Sequence, residues 1–125
     1  MSVEFFLARG DRAQPFDPDK LLEELCGQPE LVTRLLHMFQ FEAQQDIDSL
    51  EGALAGHDSA KVAALAHRLK GSAATIGAEP LRIEAAQIEG FGRQGQLQRV
   101  QNCMPDLRRE FERFCGLMAT LRNLE

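Results

Sequence analysis

The chain has 125 residues, enough for one domain with one modest core. Hydrophobic residues make up 44% and charged residues 26%, and the net charge of −5 without a long basic run argues against nucleic-acid binding. No apolar run approaches the roughly 20 residues of a membrane span, and the first residues lack the basic start and apolar core of a signal peptide, so the expected location is the cytoplasm.

Residues 1–16 have no clear periodicity; Phe5, Phe6 and Leu7 read as part of a leader, or as a flap lying on the domain that follows over residues 17–125. Asp17-Pro18 is a helix start, and residues 20–26 make a short helix that Gly27 stops. Pro29 opens a long helix whose stripe is Val32, Leu36, Phe39, Ala43, Ile47, Leu50 and Leu54, ended by Gly56. Met38 and Phe41 fall off that stripe, on the outer side with Arg34 and Gln45. Two readings are open for them: packing beneath a neighbouring helix or the N-terminal flap, or an apolar docking patch for a partner protein.

Asp58 caps the next helix and Gly77 ends it. Val62, Leu65, Leu69, Ser72 and Ile76 form its buried stripe, and His67 points roughly 170° from the stripe's centre. Around His67 stand Ala63, Ala74, Gly71 and one cation, Lys70, where an ordinary outer face carries long polar side chains. A bare surface of this kind lets a large partner approach a nucleophile; the alternative is an alanine-rich helix with a chance surface histidine.

Pro80 starts the following helix, with Leu81, Ala85 and Ile88 as its stripe; Gly90, Gly92 and Gly95 loosen its end and mark the next connection. The last helix steps through Leu97, Val100, Met104, Leu107, Phe111, Phe114, Met118 and Leu121, with a kink or wide turn expected at Pro105 but no break into two helices. Four long amphipathic segments on short connections predict an all-α, up-and-down antiparallel four-helix bundle with a short extra N-terminal helix and no sheet.

The central helix and its successor form a hairpin near Gly77-Ala78. His67 lies about ten residues before that turn and Glu89 about eleven after it, so the two are level, because rise per residue is equal in both helices. Glu89 shares a flank with Arg82, Ala86 and Arg93, and either reaches His67 or is a surface charge. A carboxylate accepting from Nδ1–H fixes the imidazole tautomer and leaves Nε2 as the nucleophilic nitrogen. His37 and His57 have no spaced ligand partners. Cys26, Cys103 and Cys115 are odd in number and form no CxxC pair, so they read as reduced thiols; no metal site and no Walker-type phosphate loop is visible.

The string His67-Arg68-Leu69-Lys70-Gly71-Ser72, followed by Gly77-Ala78, resembles the motif of histidine-containing phosphotransfer (HPt) domains, and the matching helical pattern covers about residues 17 to 122. The resemblance implies a phosphorelay intermediate of two-component signalling. In it, His67 accepts a phosphoryl group from a receiver-domain aspartate and passes it to another, without ATP and without being an enzyme. Glu89 matches the polar side chain that orients the family's histidine; Lys70 and, more weakly, Arg93 supply positive charge, and Gly71 keeps the approach open. Met38, Phe41, Ala63 and Ala74 match the docking side. The expected partners are response-regulator receiver domains, those of hybrid sensor kinases included. Mg²⁺ is expected on the receiver and no cofactor on this chain, which is expected to be a monomer. Two rival readings are the phosphate-accepting domain of a chemotaxis-type histidine kinase and a helical adaptor that is never phosphorylated.

Overall fold

Pro29, at the first helical position where a missing N–H costs nothing, begins helix α1, Pro29–Ala55, in a computed structural model. The structure describes Pro15, Phe16, Leu21, Glu23 and residues 27–124, by backbone alone from residue 121. Helix α2, Ser59–Ile76, α3, Glu79–Arg93, and α4, Leu97–Leu124, follow on connections of two or three residues. Such short links force successive helices to run antiparallel. Helix α2 packs against α1 and α3, α3 against α4, and α4 returns to α1, closing an all-helical bundle with no strand among the described residues.

Local chemistry explains the boundaries. Asp58 accepts from the Lys61 backbone N–H at 3.0 Å, capping α2. Gly77 ends that helix at φ 74°, in the left-handed region where a Cβ is penalised. At the end of α1 the left-handed residue is His57, at φ 53°, one place beyond the expected stop at Gly56. Gly90 and Gly92 do not loosen α3, which continues through both to Arg93; the turn falls at Gly95, at φ 70°. Helix α4 runs unbroken through Pro105, which lies in its interior and, having no N–H, leaves the Gln101 carbonyl without its intrahelical donor.

The stripes meet in one core of Leu36, Phe39, Ile47, Leu50, Val62, Leu69, Ile76, Leu81, Ile88, Val100, Leu107 and Phe114, among others. Phe114 sits edge-on to Phe16 at 5.8 Å and to Phe39 at 5.1 Å between ring centroids. Phe16 and Leu21 are thus buried parts of this core, and Leu21 and Glu23 are helical. The other expectations for residues 1–26, including the flap of Phe5, Phe6 and Leu7 and the thiol of Cys26, lie outside the described residues, as does the side chain of Leu121. In α2 the stripe departs from expectation. Ala66 and Ala73 are fully buried and Ser72 only half-buried, because two alanines let α2 lie close to its neighbours on both sides. No described helix is long and apolar enough to cross a membrane.

Candidate functional site

The buried stripe of α2 fixes His67 on the opposite side, where its side chain is 63% exposed. The hairpin through Gly77 and Ala78 brings α3 alongside, and His67 Nδ1 lies 2.8 Å from Glu89 Oε2. Glu89 is not a surface charge: its side chain is only 7% exposed. Two more donors close on it. Lys70 Nζ is 2.5 Å from Oε1, and Arg93 Nη2 donates to Oε2 at 2.7 Å. The Lys70 hydrogen bond is the largest influence holding the Glu89 carboxyl down at about 2; burial works against it, and the His67 bond and the charges of Lys70 and Arg93 assist. A carboxylate that stays ionised can only accept, so the shared hydrogen belongs to Nδ1. The lone pair is left on Nε2, the nitrogen on the far side of an exposed ring. One carboxylate thus faces an imidazole, a lysine and an arginine at once.

Gly71, one turn beyond His67, is exposed, and a Cβ placed on it would meet nothing within 4 Å. Packing within the chain therefore does not require glycine there, although glycine costs about 1 kcal/mol against alanine in a helix. Ala74 is exposed on the same side, whereas Ala63 is half-buried against α3 and belongs to the helix seam as much as to the surface. Met38 and Phe41 are 58% and 67% exposed. The reading in which they pack beneath another helix is overturned among the described residues. His37 and His57 are both exposed, and Cys103 and Cys115 are half-buried and unpaired.

One pair escaped the sequence reading. Asp46 lies on the inner side of α1, 4% exposed, and its Oδ1 accepts twice from Arg68, once from Nε at 3.1 Å and once from Nη2. The signal was present: Asp46 and Arg68 are equidistant from His57, just as His67 and Glu89 are equidistant from Ala78. Thus α2 is braced to α1 through Arg68 and to α3 through the adjacent His67. Among the described residues no group of three His, Cys, Asp or Glu is placed to hold a metal ion.

Comparison with known proteins gives the family and the fold. The Hpt domain model matches residues 34–117, which contain α2, α3 and every residue of the cluster, and the chain belongs to that family. Histidine-containing phosphotransfer protein B from Pseudomonas aeruginosa is 26% identical, with a TM-score of 0.82 over 90% of this chain and 98% of that one. A histidine-containing phosphotransfer protein from maize, 21% identical, shares the fold at a TM-score of 0.76 over 98% and 96% of the two chains. The phosphorelay intermediate protein rdeA of Dictyostelium discoideum is 23% identical over 107 residues, 86% of this chain. The aligned region spans 42% of the length of that relative.

Proposed function

We propose that this protein is a phosphorelay carrier phosphorylated on Nε2 of His67. The observation that carries the reading is the exposed imidazole whose Nδ1–H is held by a buried Glu89 that is ionised at neutral pH. Family membership and the likeness to phosphotransfer proteins support it.

In the forward step the Nε2 lone pair attacks the phosphorus of a receiver domain's phosphoaspartate. A P–N bond forms as the acyl P–O bond breaks, and the aspartate leaves as a carboxylate. A second receiver's aspartate reverses the step. Charge spreads over the three equatorial oxygens in such a transfer, so positioning and nearby cations carry most of the catalysis. Glu89 balances the positive charge the ring gains on attack. Lys70 and Arg93, gathered on Glu89 in the free protein, are the cations this reading assigns to the incoming phosphoryl group. Gly71 and Ala74 leave room for the partner, Ala63 flanks the approach, and Met38 and Phe41 form the apolar ground on which the receiver docks. Mg²⁺ arrives with the receiver. The carrier is consumed and regenerated in stoichiometric amounts.

The test is phosphotransfer from a panel of phosphorylated receiver domains with Mg²⁺, and separately labelling by phosphoramidate, which needs no docking. The native chain should acquire an acid-labile, base-stable phosphate, and His67→Gln should acquire none while keeping its fold. Label on His67→Gln overturns the assignment. Receiver binding with no label from any donor favours the adaptor reading.

A further inference from the structure

Gly92 is buried in α3, and its reason is not conformational, because it sits inside a regular helix. A Cβ built on it would lie 3.1 Å from the Ala63 backbone nitrogen, 3.2 Å from Val62 Cγ1 and 3.3 Å from Ala63 Cα. Two of these three neighbours are backbone of α2 and have no rotamer with which to retreat. Gly90, two residues away on the same helix, has nothing within 4 Å of an added Cβ, so the crowding belongs to the seam and not to α3 in general.

The position of this contact matters. Ala63 is one turn before His67 on α2, and Gly92 is just under one turn beyond Glu89 on α3. The two helices run antiparallel, so the Gly92–Ala63 contact lies one turn along the same seam from the His67–Glu89 hydrogen bond. It sets the distance between the helix axes beside that bond. Val62 is fully buried and the Ala63 backbone is fixed within the second turn of α2, so neither yields freely. We propose that Gly92 is a positioning residue for His67: the absence of its side chain brings α3 close enough for Glu89 to hold the Nδ1–H tautomer. Restoring ordinary contact requires the helices to part by a few tenths of an ångström. That takes the 2.8 Å bond to the outer edge of the hydrogen-bonding range, and the same displacement loosens the Lys70 contact to Oε1.

This inference rests on the phosphocarrier reading for its consequence but not for its geometry, and the experiment separates the two. Imidazole ¹⁵N spectra of His67 are recorded for the unphosphorylated wild type, Gly92→Ala and Gly90→Ala, together with thermal melts and phosphoramidate labelling rates. Gly90→Ala should keep the wild-type ¹⁵N signature and labelling rate, and should melt higher as an ordinary glycine-to-alanine change in a helix does. Gly92→Ala should remain folded, fail to show that gain, shift toward the other tautomer, and label about threefold more slowly. If it does not fold, the milder strain of Val62→Ala combined with Gly92→Ala, which removes the Cγ1 contact, provides the same readout. A ¹⁵N signature unchanged from wild type in a folded Gly92 variant overturns the proposal. A shifted tautomer in a protein that phosphoramidate never labels leaves the positioning role standing and removes the carrier reading.

Discussion

Glu89 gathers three donors on one carboxylate, and its protonation state decides what His67 can do. Its pKa is depressed to about 2, so the stabilisation it provides is fully present above the unfolded-state value near 4.3. That stabilisation is lost as pH falls from there toward 2 and is unaffected between pH 5 and 8 by this group. The contribution is at most about 3 kcal/mol, reduced in practice because His67 and Arg93 are mostly exposed to water. Acid titration of stability should therefore show a loss below about pH 4.5 that Glu89→Gln removes. Glu89→Gln still offers an oxygen to Nδ1–H but no charge to balance the phosphorylated ring, so its labelling rate should fall about tenfold. Glu89→Ala, which removes the acceptor as well, should fall further. Lys70→Ala should slow transfer without abolishing it, since Arg93 remains on the same carboxylate.

Between helices, the polar contacts differ in kind from one seam to the next. Toward α1 the brace is the buried Asp46 with Arg68, and removing the arginine leaves a carboxylate without its donors. Arg68→Ala should lower stability by about 1 to 2 kcal/mol, the exposure of the guanidinium keeping the loss below that of a fully buried pair. Denaturant melts at pH 7 measure it. The seam of α3 with α4 has the opposite problem. Glu84 carries a buried Oε2 without a hydrogen-bond partner, and burial, then the charges of Asp106 and Glu110, push its carboxyl up. A raised carboxyl pKa opposes folding at neutral pH and does so less as pH falls through its folded-state value. Glu84→Gln should therefore stabilise the protein at pH 7 by up to about 1 kcal/mol, a gain that shrinks in acid.

Across the whole molecule, the proposed chemistry and the proposed docking stand on different helices. The cluster around His67 is held by α2 and α3, whereas Met38 and Phe41 stand on α1 and make no part of the core. Replacing both by serine should leave thermal stability within about 0.5 kcal/mol and leave phosphoramidate labelling unchanged. It should weaken binding to the receiver of fastest transfer about tenfold or more, read by titration of the unphosphorylated pair. Phe114→Ala tests the opposite end of the design. It removes the ring that joins Phe16 and Phe39, and should cost about 3 to 5 kcal/mol.

The four described helices, their order and most of the core were legible in the chain, because a 3.6-residue apolar period reports directly which face a helix buries. Asp58, Gly77 and Pro29 marked boundaries because each residue type answers a local backbone need. Even the level of Glu89 with His67 followed from equal rise on either side of one turn. Its three-way bonding did not follow, nor did the burial of Asp46 or the exposure of Met38 and Phe41. Those depend on how each helix is rotated about its axis against its neighbours, which periodicity leaves open on the flanks of a stripe. Gly92 makes the same point. In the chain it reads as a weak helix end, and only the 3.1 Å approach of a neighbouring backbone turns it into a spacer. Local sequence sets what each helix can bury; the distance and rotation between helices, fixed by many contacts at once, set which polar side chains meet.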